Sequence, residues 1–342
     1  MLGRIKQWTA KFLSYAGRLQ LIKSVLFAIQ SFWSQIFPLP KKIIRGIDTI
    51  CKRFLWTGET KNKAKALVVW KQLCWPKSAG GLNITDILIW NRAALIKHIW
   101  NIDKKKDRVW IQWIYTYYFK QQVVWNVKVK QAVWLTQKIL CATKYLNEAS
   151  IGIKEVMNMQ EYSIRLVYDK LRGELPKVEW KRLVCNNIRN PKWIFNLYLA
   201  ILGRLYMRDI LLGWGIAICS DCSLCGRATE SHDHLFFKCN YSTVIWRKLL
   251  QWLGITRDVH GWNDEIQWTV RHAAGKKQIY VIYRMLLACV VYYIWQERNW
   301  RTFRGTQRSC EELIRMIVQE VHCRGNLNFK VARKLQEFNF YR

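Results

Sequence analysis

Acidic residues are scarce in this chain. Its 342 residues include 23 Asp and Glu against 56 Lys and Arg, which leaves a formal net charge of +33. Such an excess opposes compaction through self-repulsion unless a polyanion neutralises it. We therefore expect a polyanionic partner, with nucleic acid first and an anionic membrane surface second. A basic protein without such a partner is the simpler alternative.

Signals for export and for membrane insertion are also lacking. The residues after Met1 are amphipathic and charged, which differs from a secretory signal. The apolar run from Met285 to Trp295 is about half of the ~20 residues that a bilayer requires. We expect a protein of the nucleus or cytoplasm, with no membrane partner. The 11 cysteines then lie in a reducing compartment and do not form a disulfide framework.

Strand signals are few, and neither a repeat nor a low-complexity tract occurs. Because 51% of the residues are hydrophobic, the chain can bury a core and is not a disordered tail. Most of the 20 tryptophans and 15 tyrosines are expected in that core. Aromatic faces beside cations also stack on unpaired bases, so the same composition is compatible with nucleic-acid binding.

Helical periodicity recurs along the chain. Apolar residues at three- and four-residue steps predict helices over about 21–36 and 41–56, the first of them ended by Pro38. A third is expected from about Asp86, with Thr85 as its N-cap, and others over 193–209, after Cys239 and over 280–303. The polar residues 254–278 predict a linker or a small irregular region. Ser309 and Glu312 form a capping box that opens the last helix.

The most specific local pattern runs from Cys222 to Cys239, CSLCGRATESHDHLFFKC. Cys222, Cys225, His234 and Cys239 have the spacing C-x2-C-x8-H-x4-C, which suits tetrahedral coordination of one structural Zn²⁺. Gly226, just after the first pair, allows backbone angles that other residues resist. Ordinary buried cysteines are the alternative. A different ligand set is also possible, since Cys219 precedes Cys222 and His232 precedes His234.

Several longer segments resemble one family. The zinc stretch with its flanks, RLYMRDILLGWGI and NYSTVIW, is similar to the zinc-binding domain in the C-terminal part of reverse transcriptases from plant non-LTR retrotransposons. LSYAGRLQLIKSVL, FPLPKKIIRGIDTICKRFLW and CWPKSAGGLNITDILIWNRAALIKHIW resemble the segment that follows the polymerase palm in those proteins. YYIWQERNWRTF resembles their ending. The resemblance covers nearly the whole chain.

The resemblance implies a ligand set. The family's metal motif falls on Cys222, Cys225, His234 and Cys239, followed by the hydrophobic pair Leu235 and Phe236. That alignment favours His234 over His232 and leaves Cys219 outside. One departure is the sequence Gly-Leu-Asn at 81–83, where the family usually has Gly-Leu-Gly.

The family's polymerase activity does not carry over to these residues. Polymerase chemistry needs carboxylates that hold two metal ions, and the sequence has no adjacent Asp pair of the Tyr-x-Asp-Asp kind. No endonuclease motif occurs either. Met1 falls where the family is in mid-protein, so we expect a truncated element copy that lacks the palm, and no enzyme.

The expected fold is mainly α: an irregular helical assembly with a small Cys3His zinc-binding module. The resemblance divides it into a post-palm helical segment at 1–66, a basic aromatic-rich connector at 67–160, the zinc-binding domain at 161–254 and a C-terminal helical tail at 255–342.

We expect a non-catalytic tail that binds RNA, DNA or both, and that also contacts the missing polymerase domain. Phosphate contacts are assigned to basic residues of the second helix and of the polar break after it: Lys41, Lys42, Arg45, Lys52, Arg53, Lys61, Lys63 and Lys65. A solvated helix face is the local alternative for these charges. A helical, zinc-containing protein-interaction module is the alternative function.

Overall fold

A computed structural model of the chain describes residues 13–59, 66–105, 109–119, 125, 133–148, 151–185, 190–215 and 219–338. Contacts divide the chain into two compact units, with the boundary between Pro176 and Lys177. Ser14–Ala16 belong to the second unit. The fold is mainly helical, as expected, and the structure assigns no strand among the described residues. The four segments inferred from the resemblance stay a prediction.

Ten α-helices cover much of the described part of the chain before Pro176. They are α1 (Tyr15–Leu21), α2 (Phe27–Ile36), α3 (Lys41–Thr57), α4 (Trp70–Cys74), α5 (Ile87–Asp103), α6 (Val109–Ile114), α7 (Trp134–Leu140), α8 (Thr143–Glu148), α9 (Ile153–Met157) and α10 (Ile164–Arg172). π-helical turns at Ile22–Leu26 and Tyr115–Phe119 follow α1 and α6, and a 3₁₀ turn spans Lys77–Ala79. The helices predicted over 21–36 and 41–56 are confirmed.

Helix α5 lies at the centre of the first unit. It packs against α2, α3, α6, α7, α9 and α10, and its buried Ile96, Ile99 and Trp100 belong to the main apolar cluster. The buried Asn91 joins α5 to the end of α2. Its Nδ2 donates to the carbonyl oxygens of Ser34 and Phe37, each at 2.9 Å. These two bonds satisfy carbonyls that a helix end leaves without intrahelical partners.

The predicted N-cap of α5 is wrong by one residue. The cap is Asp86 and not Thr85, and its carboxylate accepts hydrogen bonds from the N–H groups of Leu88 at 3.0 Å and Ile89 at 3.2 Å. The N–H of Asp86 donates to the Tyr168 hydroxyl of α10 at 3.1 Å. This tertiary contact helps to fix where the helix begins.

The turn before α5 explains the departure at 81–83. Asn83 has a φ of 55°, in the left-handed region. Glycine adopts that region at least cost, and asparagine tolerates it better than most residues. The N–H of Asn83 donates to the Trp75 carbonyl at 2.9 Å. The replacement of glycine by asparagine therefore preserves the turn.

The second unit contains eight further α-helices among its described residues. They are α11 (Lys181–Val184), α12 (Pro191–Ile201), α13 (Arg208–Gly213), α14 (Asn240–Trp252), α15 (Trp262–His272), α16 (Gln278–Arg304), α17 (Cys310–Gly325) and α18 (Phe329–Leu335), and a π-helical turn spans His234–Lys238. The capping box of α17 is present as predicted, with Ser309 and Glu312 bonded to each other's backbone.

Two predictions for this unit are wrong. The helix expected over 193–209 ends at Ile201, because the chain turns at Gly203, whose φ is 60°. The expected linker at 254–278 contains α15. The buried face of this helix includes Trp262, Glu265 and Thr269. Because two of these three residues are polar, a search for apolar periodicity does not detect the helix.

Helix α16 forms the core of the second unit. It packs against α12, α17, α18 and the π-helical turn, and every residue from Ile282 to Val291 is buried. Among the described helices, only α16 is long and apolar enough to span a membrane. However, 67% of its most apolar stretch is buried inside the protein. This burial is that of a core helix.

Substitution of Gly81, in the turn that leads into α5, tests how much this turn contributes to the free energy of unfolding. A Cβ atom on Gly81 would lie 2.0 Å from the Trp75 carbonyl oxygen, so Gly81→Ala must displace the backbone. We expect a loss of roughly 2 kcal/mol or more. Gly46→Ala in α3 is the matched control, because its Cβ meets nothing within 4 Å, and we expect a gain of roughly 0.5–1 kcal/mol. Urea unfolding followed by circular dichroism measures both. Equal midpoints for the two variants would contradict this account of the turn.

Candidate metal centre

Cys222 and Cys225 lie on a tight turn between two paired backbone segments. Asp221 and Thr229 form an isolated antiparallel bridge, and the Cys222 N–H donates to the Ala228 carbonyl at 2.7 Å. The N–H of Gly226 donates back to the Cys222 carbonyl at 2.8 Å. Gly226 has a φ of 64°, so the role predicted for this glycine is confirmed.

His234 and Cys239 lie at the two ends of one helical feature. His234 opens the π-helical turn and Cys239 follows it, directly before α14. The Cys239 N–H donates to the His234 carbonyl at 2.6 Å, and the Cys239 carbonyl accepts from Thr243 of α14 at 2.8 Å. The buried Leu235 and Phe236 fix the turn in the core. The predicted helix after Cys239 is therefore present as α14.

The four side chains converge on one point. Three sulfurs and one imidazole nitrogen, of Cys222, Cys225, His234 and Cys239, all lie within 4.8 Å of one another. Cys222 Sγ is 4.0 Å from Cys239 Sγ, and Cys225 Sγ is 3.3 Å from His234 Nε2. A tetrahedral Zn²⁺ with ordinary bond lengths separates two sulfurs by about 3.8 Å, and a sulfur and a nitrogen by about 3.6 Å. The donor set and its spacing fit zinc.

The local environment favours a thiolate at Cys222. Its hydrogen bond with the Cys239 sulfur, together with the Leu224 N–H at 3.4 Å, lowers the pKa of the Cys222 thiol. The same sulfur–sulfur hydrogen bond and burial raise the pKa of Cys239. Because a metal binds thiolate and not thiol, the lowered pKa of Cys222 favours cation binding at this site.

The two other candidate ligands lie elsewhere. Cys219 is exposed, and its sulfur contacts Asp221 Oδ2 at 3.1 Å. His232 packs its ring against Phe236 and Trp262, with centroid distances of 6.1 and 6.3 Å. Neither belongs to the group of four converging donors.

Comparison with known proteins agrees with this geometry. Residues 162–246 match the family model described as zinc-binding in reverse transcriptase. An Arabidopsis thaliana protein named "Putative ribonuclease H protein" is 29% identical over 156 residues, which are 46% of this chain and 24% of that relative. The match thus spans about a quarter of the relative's length. The chain carries a zinc-binding domain like that of reverse-transcriptase-related proteins.

Helix α15 supports the histidine end of the site. The backbone N–H of Trp262 donates to Asp233 Oδ1 at 2.7 Å, next to His234. The Trp262 ring packs against Phe236 and Phe237 at centroid distances of 5.0 and 5.8 Å. The segment predicted to be a linker therefore holds the turn that carries His234 in place.

A buried ion pair joins residues 221–229, which we call the cysteine hairpin, to α16. Glu230 follows the hairpin, and its carboxylate accepts from Arg298 Nη2 at 2.6 Å and from Arg298 Nε at 3.0 and 3.1 Å. Both side chains are almost fully buried. Removing one partner of such a pair leaves an uncompensated buried charge, at a cost of roughly 3–5 kcal/mol. Local sequence patterns do not predict this pair, although Gln-Glu-Arg at 296–298 interrupts an otherwise apolar helix and is a signal for it.

The basic residues assigned to phosphate contacts lie in the first unit. Lys41, Lys42 and Arg45 are exposed on α3, and Lys52 and Arg53 are partly buried on the same helix. Lys61, Lys63 and Lys65 lie outside the described residues. α3 thus presents a basic outer face, and its role in binding stays a prediction.

The ligand set is tested by removing one cysteine. We expect the purified full chain to hold one equivalent of zinc, and Cys225→Ala to lose that zinc together with helical structure. Cys219→Ala is the matched control, since this exposed cysteine lies outside the cluster, and it should keep both. Metal content per chain and circular dichroism, each before and after chelation, are the measurements. A Cys225→Ala chain with full zinc content would refute the assignment.

Proposed function

We propose that this chain is a non-catalytic, zinc-stabilised, nucleic-acid-binding part of a retrotransposon-type reverse transcriptase, of the non-LTR class found in plants. One observation carries the proposal: a Cys3His cluster converges inside the segment that matches the reverse-transcriptase zinc-binding family. The resemblance of the other segments extends it to the rest of the chain. A nuclear or cytoplasmic location fits the proposed partner.

Zinc has a structural role in this proposal. Cys222, Cys225, His234 and Cys239 would be its ligands, and four protein donors leave no coordination position for a water. The ion would cross-link the cysteine hairpin to the turn that opens α14. Structural zinc contributes an apparent ~10–16 kcal/mol in small finger peptides, so we expect the fold around the site to depend on the metal.

Charge is the basis for assigning RNA or DNA as the partner. The net charge of +33 needs a counter-charge, and phosphates supply it without sequence-specific contacts. Lys41, Lys42 and Arg45 form an exposed set on one helix, with Lys52, Arg53, Lys61, Lys63 and Lys65 as further candidates. We assign the contacts with the phosphates of the nucleic acid to this face of α3.

The surroundings of three buried carboxylates support a non-catalytic role. Glu230, Glu265 and Glu297 are fully buried, and each forms an ion pair with an arginine. Glu265, for example, accepts from Arg257 at 2.7 and 2.5 Å. Two-metal chemistry on nucleic acid requires carboxylates that converge on the metal ions. These three are neutralised by arginines instead.

Activity assays test the non-catalytic assignment. The relative's name refers to ribonuclease H, and the resembled family contains polymerases, so both activities are relevant. With Mg²⁺ or Mn²⁺ present, we expect the full chain neither to cleave the RNA strand of an RNA–DNA hybrid nor to extend a primer. Product formation above that of a chelator-treated control would overturn the assignment.

A protein-interaction module is the second candidate. The observation that favours it is a group of exposed apolar side chains on α2, α3 and the turn between them: Phe32, Trp33, Ile36, Phe37 and Ile43. Exposed clusters of this kind often mark contact sites with another protein or domain. The polymerase domain of the proposed parent protein would be such a partner.

The salt dependence of binding separates the two candidates. If about six phosphates are neutralised, the logarithm of the RNA or DNA affinity should fall against log salt with a slope of about −4 to −5. Lys41→Gln/Lys42→Gln/Arg45→Gln should reduce the magnitude of that slope by about 2 to 3, at ~0.7–0.9 per lost contact. Fluorescence anisotropy of labelled single strands at several salt concentrations is the measurement.

A second triple variant controls for total charge. Lys138→Gln/Lys330→Gln/Arg333→Gln removes the same charge from exposed positions on α7 and α18, and it should change the slope much less. Equal effects of both triples would refute the assignment of α3. A flat salt dependence of the unmodified chain would refute electrostatic binding altogether and favour the protein-interaction candidate.

A further inference from the structure

The last turn of α16 contacts the cysteine hairpin between its two cysteines. Ser223 Oγ lies 2.9 Å from Thr302 Oγ1, and Arg301 Nη1 donates to the Leu224 carbonyl at 2.9 Å. Ser223 and Leu224 are the two residues between Cys222 and Cys225. The backbone that carries the first ligand pair is therefore held by side chains that lie far beyond the family-matched segment, which ends at residue 246.

Arg301 also contacts the other half of the site. Its guanidinium carbon lies 4.4 Å from the centroid of the Tyr241 ring, and Tyr241 is two residues after Cys239 on α14. Cations over an aromatic face are attracted by the ring quadrupole. One side chain thus bridges the backbone between Cys222 and Cys225 and the helix that begins after Cys239.

The position of Arg301 is itself fixed. The buried Glu297, one helical turn earlier, accepts from Arg301 Nε at 2.9 Å, and the Arg308 carbonyl accepts from Arg301 Nη2 at 3.1 Å. Glu297 also accepts from the N–H of Arg308 at 2.8 Å and from its Nε at 2.9 Å. The Nε, Nη1 and Nη2 groups of Arg301 thus each donate a hydrogen bond, to Glu297, Leu224 and Arg308 respectively. The Arg301 side chain is 14% exposed.

We propose that Arg301 is a positioning residue of the metal site, which holds the two ligand-bearing segments at the separation that one Zn²⁺ requires. The inference rests on the proposed zinc site and adds that the complete metal-binding unit includes the end of α16 and the loop to Arg308. Groups behind the ligands commonly tune metal affinity by 10–100-fold. Arg301 acts through backbone and ring contacts and does not touch the metal.

Zinc affinity of the full chain tests this role. Arg301→Ala should raise the zinc dissociation constant by roughly 10-fold or more, measured by competition with a chromogenic chelator. At saturating metal, the visible bands of bound Co²⁺ should also differ from those of the unmodified chain while helix content is unchanged. An altered ligand geometry in a folded chain is a signature that a purely structural contribution to stability would not give.

Arg304→Ala is the matched control. Arg304 is exposed on the same helix, with its guanidinium carbon 5.4 Å from the centroid of the Trp300 ring, and its loss removes the same charge. We expect an unchanged zinc dissociation constant. Equal affinities of Arg301→Ala, Arg304→Ala and the unmodified chain would overturn the inference but leave the zinc site intact. An unmodified chain without bound zinc would instead refute the proposed function.

A milder pair of variants covers the case in which Arg301→Ala does not fold. Arg301→Lys keeps the charge but cannot engage Leu224, Glu297 and Arg308 together, and Ser223→Ala removes only the bond to Thr302. Both should retain the helix content of the unmodified chain and bind zinc more weakly. If both fold and bind zinc with unchanged affinity, the inference fails.

Discussion

The burial of three carboxylates against arginines is the constraint on which the second unit depends. Glu230, Glu265 and Glu297 have no exposed surface, and Arg298, Arg257 and Arg301 lie against them. A buried charge without a partner is costly, whereas a paired and hydrogen-bonded one is tolerated. The pairs of Glu230 and Glu265 each fix the relative position of two chain segments, whereas Glu297 pairs with Arg301 inside α16 and with Arg308 beyond its end. A chain with few acidic residues uses three of them for internal cross-links and leaves its surface strongly basic.

The metal centre is built within this framework. Glu230 joins the cysteine hairpin to α16, and Glu297 orients Arg301 between the hairpin and α14. The proposed metal coordination and the ion pairs would thus act on the same segments. The proposed zinc ion would hold four side chains at one point, while Arg301 and Arg298 contact the hairpin backbone and the carboxylate that follows it. We infer that the two kinds of cross-link stabilise each other, because each reduces the conformational freedom that the other must overcome.

The proposed function is divided between the two units. The second unit holds the proposed zinc site, and the first presents the exposed basic face of α3 and the apolar side chains of α2. Net charge governs affinity for a polyanion and its salt dependence, but it carries no sequence specificity. Any sequence preference of the proposed binding would therefore need contacts other than those of the net charge. The three buried carboxylates all lie in the second unit, and each is paired with an arginine.

The mainly helical fold, a helix over 41–56, a last helix opened by Ser309 and a cluster of cysteine and histidine donors at 222–239 could all be predicted from local sequence, whereas the choice of His234 over His232 came from the family resemblance. Apolar periodicity, capping residues and cysteine spacing act over a few residues, so they can be read locally. Three features depend instead on tertiary contacts: Asp86 as the cap of α5, the helix at 262–272 beside the candidate site, and the position of Arg301 between the two halves of that site. Those features depend on partners distant in sequence. Tyr168 contacts Asp86 across 82 residues, and Arg301 contacts Leu224 across 77. A buried Glu–Arg pair resembles ordinary surface charge in sequence, because its polarity is cancelled only after the chain has folded.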